Sequence, residues 1–182
     1  MRIPSFKLSF LIIFILLLSC MTENKESELK MGNIVDLNGK FQVKLPDNWK
    51  KEFNTTEFSS GIISSDTTGE LKNTIIVNIN WNQDTVYINP NLEQTLDSLN
   101  ATVGLKTQMQ KSGKIGDYRT SFNFSSGYDS TEEMQRNQYL YILKGDSIKG
   151  HILMTATIFG DSISTEQSEL VAEIVKTIKM NK

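Results

Sequence analysis

The sequence predicts an α+β fold in which an antiparallel sheet is packed by helices. Three observations predict it: segments in which apolar residues alternate, two segments with helical spacing and N-terminal caps, and short turn-rich links that favour hairpins. Along the 182 residues the order is strands, helix, strands, helix. A single domain is expected, because domains typically hold about 100–150 residues.

The first predicted strand is FQVKL at residues 41–45, where apolar and polar residues alternate. Pro46 ends this strand, since proline cannot donate a hydrogen bond to a neighbouring strand. Two further strands are predicted at 57–64 and 73–81. The second of them alternates more regularly, which gives it one apolar and one mostly polar face.

The two helices are predicted from their first residues. Asn89 is a good N-cap, and Pro90 suits the first helical turn. Ser164 with Gln167 forms a capping box for the second helix. Helical spacing then predicts core-facing stripes made of Leu92, Leu96, Leu99 and Val103 in the first helix and of Val171, Ile174, Val175 and Ile178 in the second.

Four more strands are predicted between the helices, at 114–117, 118–125, 134–144 and 148–159. Residues 118–125 alternate strictly between apolar or Thr positions and polar ones, so their aromatic residues should share one face. Gly145 favours a tight turn before the last of these strands.

The start of the chain predicts export. The run from Leu8 to Leu18 is apolar except for one serine, follows two basic residues, and is shorter than the roughly 20 residues that cross a bilayer. A secretory signal peptide fits this pattern better than a transmembrane helix does. The only cysteine, Cys20, stands directly after the run.

Leu17, Leu18, Ser19 and Cys20 resemble the lipobox of bacterial lipoproteins. The resemblance implies cleavage before Cys20 and a thiol that carries a diacylglycerol with palmitate-type chains, because two chains anchor stably where one does not. A chance cysteine after an ordinary signal is the alternative. We therefore expect a signal peptide at 1–19, a polar flexible tether at 20–36 and a domain at 37–182, on the outer membrane rather than the inner.

Charge and cysteine content exclude several functions. Loss of residues 1–19 would remove two of the 19 Lys and Arg residues and none of the 21 Asp and Glu residues. Nucleic-acid binding is not expected, since it needs clustered basic residues. A lipidated Cys20 leaves no thiol for disulfides, metal ligation or catalysis. The sequence has no phosphate loop, nucleophile elbow, zinc-protease motif or dinucleotide fingerprint, so neither an enzyme nor a cofactor is expected.

The ionisable side chains offer two weak candidates. His151 is the only histidine, and a lone histidine on a strand is more often structural than catalytic. Asp129, Glu132 and Glu133 cluster in a predicted hairpin and could bind calcium, but their spacing does not match an EF-hand loop. We interpret this cluster as a solvated turn and predict no metal site.

Aromatic residues could line a groove for a glycan or a peptide, because their rings give large contact areas with a polar handle. Alternation instead predicts that most of them face the helices. Trp81 and Tyr87 flank the link between a strand and the first helix, and they are the two candidate ligand-facing aromatics.

Six of the nine aspartates precede Ser or Thr and then an aliphatic residue or Thr. This pattern resembles the O-glycosylation sequon of Bacteroidetes-type envelope proteins, which implies glycosylation at Thr67, Thr85 and Ser130. Asp with Ser or Thr also closes turns without any sugar, and this alternative stays open.

The segment FQVKLPDNW, with Phe41 in the strand and Trp49 after the proline, resembles the N-terminal signature of the PsbP-like superfamily. The resemblance covers roughly residues 35–180. It implies an α-β-α sandwich that works as an adaptor or assembly factor without catalysis.

Two functions remain after these arguments. The first is a noncatalytic envelope lipoprotein, held to the membrane through Cys20, that contacts an unidentified envelope protein. The second is a solute- or glycan-binding lipoprotein, which would need a concave apolar site beside the sheet. The sequence predicts neither the partner nor the oligomeric state.

Overall fold

A computed structural model describes residues 29–66, 71, 74–130 and 132–181. These residues contain two helices, α1 Pro90–Thr102 and α2 Thr165–Thr177. Their strands are β1 Met31–Val35, β2 Phe41–Pro46, β3 Lys50–Thr55, β4 Ser59–Ser65, β5 Ile75–Asn82, β6 Lys106–Ile115, β7 Tyr118–Asp129, β8 Met134–Gly145, β9 His151–Phe159 and β10 Lys179–Met180.

The strands form two antiparallel sheets. The large sheet has seven strands in the order β3-β4-β5-β9-β8-β7-β6, so that β3 and β6 are its edges. The small sheet has the order β1-β2-β10. Neighbours in the large sheet are mostly hairpins, and only the β5–β9 pair joins distant parts of the chain.

The main core lies between the large sheet, the small sheet and α2. Alternation places one face of β2, β5 and β9 here, and their apolar side chains are almost fully buried. The inner face of α2 completes this core. Its largest fully buried side chains are Phe41, Leu45, Ile62, Ile79, Leu143, Ile152, Met154, Ile158 and Ile174. We call this side of the large sheet the α2 face.

Helix α1 packs on the opposite side of the large sheet, next to β6. Buried Asn100 donates from Nδ2 to Asn123 Oδ1 on β7 and to Thr107 Oγ1 on β6, both at 3.0 Å. Leu96 is buried in the same contact. We call this side the α1 face, and helices on both sides make the molecule an α-β-α sandwich.

The predicted α+β class and both helix starts are observed. Asn89 accepts from the backbone N–H of Leu92, and Ser164 forms the capping box with Gln167. The stripe predicted for α1 is only partly buried, because Leu99 and Val103 are 56% and 53% exposed.

Three differences concern strands. Residues 31–35, which the sequence assigns to the tether, form β1 and pair with β2. The strand predicted at 114–117 is wrong, because these residues end β6 and form the turn into β7. The edge strand β3 was not predicted at all.

Candidate functional site

Four aromatic rings form a half-buried cluster on the α2 face of β7 and β8. Phe122 pairs with Tyr141, and Phe124 pairs with Tyr139 across the two strands. The ring centroids of these two pairs are 4.8 Å and 4.9 Å apart, within the range of attractive aromatic contacts. We call these four residues the aromatic shelf.

The rim of the shelf is the edge strand β6. Met109 pairs with Phe124 and is 45% exposed, while Lys111 pairs with Phe122 and is exposed. A methyl group added to Gly113, two residues further along the same face, would meet no atom within 4 Å. This part of the α2 face is therefore open among the described residues.

The inner boundary of the shelf is α2. The hydroxyls of Tyr139 and Ser168 lie 2.9 Å apart and share a hydrogen bond. Tyr139 and Tyr141 also pack against the main core, whereas Phe122 and Phe124 lie outside it. The shelf is thus the uncovered continuation of the surface on which α2 packs.

The electrostatics of the shelf combine a half-buried phenol with a basic rim. Burial, and to a smaller extent the neighbouring Tyr139, raises the pKa of Tyr141 to about 12. Lys106, opposite Ser126, and Lys111 project from β6 on the same face. No Asp or Glu projects on this face from β6, β7 or β8 within the part of the chain that the structure describes.

The sequence places these rings together by simple alternation. Along YRTSFNFS the aromatic residues point to the α2 face, and Ser121, Asn123 and Ser125 point to the α1 face, where they are buried. Alternation alone could not show that α2 leaves the rings half-open. The signal that was present is the density of aromatic residues on two neighbouring strands.

The two aromatics singled out from the sequence lie elsewhere. Trp81 is 6% exposed at the end of β5, with Lys40 Nζ 5.0 Å from the centre of its ring. It contributes to an open cavity of about 480 Å³ that Lys40 and Lys149 also line. Tyr87 is 74% exposed on the loop before α1. Neither residue belongs to the shelf.

Two of the candidate modification sites lie within the described residues, and two lie outside them. Thr85 and Ser130 are exposed, the first on the loop between β5 and α1 and the second in the turn between β7 and β8. The predicted lipidation site Cys20 and the predicted glycosylation site Thr67 lie outside the described residues.

The ionisable candidates contact polar groups of the protein. His151 Nδ1 lies 3.0 Å from the backbone oxygen of Asp84. Asp129 accepts from the backbone N–H of Glu132 and lies 3.5 Å from Arg136. Within the described ranges, no three His, Cys, Asp or Glu side chains are grouped so that they could hold a metal ion.

Among the residues with an assigned structure, no helix is long and apolar enough to cross a membrane.

Three solved structures resemble the chain along most of its length. LpqN, involved in cell envelope biogenesis of Mycobacterium tuberculosis, is 10% identical with a TM-score of 0.53, covering 86% of this chain and 94% of LpqN. The Ran-binding protein Mog1p of Saccharomyces cerevisiae is 10% identical with a TM-score of 0.52, covering 84% and 96%. The chain shares their α+β fold.

The protein PA94 of Pseudomonas aeruginosa, of unknown function, is likewise 10% identical with a TM-score of 0.52, covering 84% of this chain and 98% of PA94. No protein-family model and no curated protein matches the chain. At these identities the comparisons establish the α+β fold alone.

Proposed function

We propose that the protein is a noncatalytic, membrane-anchored adaptor of the bacterial envelope that binds another protein through the aromatic shelf. The observation that supports this proposal is the open, contiguous group of four rings with exposed Met109 at its rim. Aromatic residues and methionine are enriched in protein interfaces, and exposed apolar patches mark binding surfaces. The envelope role of LpqN and the Ran binding of Mog1p are consistent with such a role on this fold.

The anchor in this proposal is a lipid on Cys20. The first described residues, Leu29 and Lys30, lie beside the start of β1, where the backbone N–H of Asp47 donates to the oxygen of Lys30. Eight residues separate Cys20 from Leu29, so the chain can span at most about 30 Å. The domain would therefore stay close to the membrane, and we favour the outer membrane.

The anchor is tested with Cys20→Ser and metabolic labelling by a palmitate analogue. The native protein should be labelled and found with outer-membrane fragments, whereas Cys20→Ser should be unlabelled and released. Label on the Cys20→Ser variant, or membrane retention without any label on the native protein, would contradict the anchor.

The binding surface is tested by crosslinking in intact cells. Met109→Asp places a carboxylate on the apolar rim of the shelf, where partner contact would bury it at a large cost. Leu99→Asp is the matched control, because Leu99 is similarly exposed on α1. The proposal expects a specific crosslinked protein that Met109→Asp loses and Leu99→Asp keeps. Equal crosslinking yields for both variants would exclude the shelf as the binding surface.

A second candidate, solute or glycan binding, is favoured by the 480 Å³ cavity beside Trp81. Its lysines, Lys40 and Lys149, suit an anionic solute. However, Lys40 covers the indole face that a sugar would need for stacking. Tryptophan fluorescence titrated with glucuronate tests this function, with Lys40→Met as control. A saturable change that the control abolishes would support it.

We also propose glycans at Thr67, Thr85 and Ser130. The exposure of Thr85 and Ser130 supports this proposal. The intact mass of the mature protein from its native host should exceed the lipidated polypeptide by whole glycan units, and the triple alanine variant should lose them. A mass equal to that of the lipidated polypeptide leaves turn formation as the reason for the Asp-Ser and Asp-Thr pairs.

A further inference from the structure

The open part of the α2 face has the width of one helix. Beyond α2, Phe122 and Phe124 on β7 and the facing part of β6 lie outside the main core, whereas Tyr118 and Ile115 pack against it. Neighbouring strands are about 4.8 Å apart. Two strands therefore leave about 10 Å, which is the diameter of an α-helix with its side chains. Helix α2 already packs on the adjacent strand β8 through Ser168 and Tyr139.

The length of the open surface also suits a helix. From Phe122 the α2 face of β7 continues to Tyr128, which is 57% exposed. Six residues of strand span about 20 Å. A helix of roughly 13 residues has this length, and α2 itself has 13 residues.

The edge of the sheet is unsuited to an added strand. The pairing of β6 with β7 shifts register between Thr107 and Met109, and β6 carries three lysines. Bulges and edge lysines are features that prevent strand pairing between chains. The rings can still be covered from above, because packing on them requires no backbone hydrogen bonds with β6.

The charges specify the partner further. Lys106 and Lys111 stand on the outer side of the shelf, and none of the described residues of β6 to β8 places a carboxylate on this face. A second copy of the chain would bring these lysines against like charges if the shelves met face to face. A partner with carboxylates on its outer flank would instead pair with them.

We infer that the aromatic shelf binds an amphipathic α-helix of a partner protein, with its apolar stripe on the four rings and its carboxylates toward Lys106 and Lys111. This inference rests on the proposed adaptor function and specifies the partner's binding element. The bound helix would lie beside α2 and complete the helical layer on this face of the sheet.

Site-specific photocrosslinking of the full-length protein in its own cells tests the inference. A benzophenone amino acid replaces Phe122 on the shelf or Met109 at its rim, and Leu99 or Tyr87 away from it. Mass spectrometry then identifies the partner residues that are crosslinked. We expect both shelf positions to label one partner segment at residues three, four or seven apart, the spacing of one helical stripe.

Charge reversal supplies the second measurement. Lys111→Glu and Lys106→Glu should each lower the crosslinking yield from Met109 about fivefold, the factor that corresponds to ~1 kcal/mol. Lys114→Glu is the matched control, because Lys114 is also exposed on β6 but projects to the α1 face. Its yield should stay unchanged.

The outcomes separate this inference from the adaptor function. Labelled partner residues two apart would indicate that the shelf binds a strand. Shelf crosslinks to residues 8–18 or to a second copy would indicate that the occupant is this protein itself. Each result overturns the inference. Crosslinks from Tyr87 or Leu99 alone would show that the shelf is not the binding surface, although the adaptor function would still stand. An absence of crosslinks from all four positions would overturn both.

Discussion

At the residue scale, Asp36, between β1 and β2, is a buried side chain that joins three elements. It is 4% exposed and accepts three hydrogen bonds: from the backbone N–H groups of Phe41 and Asn38 and from the hydroxyl of Ser60. The contact with Ser60 joins the small sheet to β4 of the large sheet. Asp36 therefore holds the two sheets in register.

Asp36→Ala should lower the free energy of unfolding by about 2 kcal/mol or more, since it leaves buried donors without an acceptor. Urea unfolding measures this change. Asn33→Ala, which removes an exposed hydrogen bond to Gln42, should stay within ~0.5 kcal/mol. Similar losses for both variants would show that Asp36 does not link the sheets.

Tyr141 gives the shelf a pH signature. Burial raises its pKa to about 12, whereas the pKa of an unfolded tyrosine is ~10. Both states keep the proton below pH ~10, so its contribution to stability is complete there and is lost as the pH rises from ~10 to ~12. The phenol should ionise only in strongly alkaline solution.

Ultraviolet difference absorbance of the folded protein checks this expectation. Tyr141→Phe should remove the tyrosine transition at the highest pH, and Tyr87→Phe should leave that transition in place. Loss of the same transition in Tyr87→Phe and not in Tyr141→Phe would show that the shelf is more hydrated than its geometry indicates.

At the element scale, α2 depends on its capping box. Ser164 Oγ accepts from the backbone N–H of Gln167, and the side chain of Gln167 accepts from the backbone N–H of Ser164. Ser164→Ala should lower the free energy of unfolding by about 1 kcal/mol. Ser162→Ala, at an exposed neighbouring position, should have less than half of this effect when both are measured by urea unfolding.

The sequence identified elements with strong local signals and missed those without them. Caps at Asn89 and Ser164 located both helices, and strict alternation located β2 and β5. The edge strands β3 and β6 expose most of their residues on both faces, so they lack alternation. Strand β1 exists because it pairs with β2, a contact that its own residues do not encode.

At the scale of the whole molecule, the candidate site depends on how much of the large sheet α2 and the small sheet cover. Alternation predicted that the aromatic residues of 118–125 share one face, and the structure confirms this arrangement. It could not predict that the core covers β7 and β6 only at Tyr118 and Ile115 and leaves Phe122 and Phe124 outside it. The order of the strands in the sheet, which arises from long-range pairing, decides which rings remain open.

One measurement tests the central claim that a partner covers the shelf. Hydroxyl-radical footprinting compares the oxidation rate of Met109 in intact cells with that of the purified protein, using Tyr87 as the internal reference. Partner binding predicts that the rate of Met109, relative to Tyr87, falls severalfold in cells. An equal relative rate in cells and in purified protein would contradict occupation of the shelf.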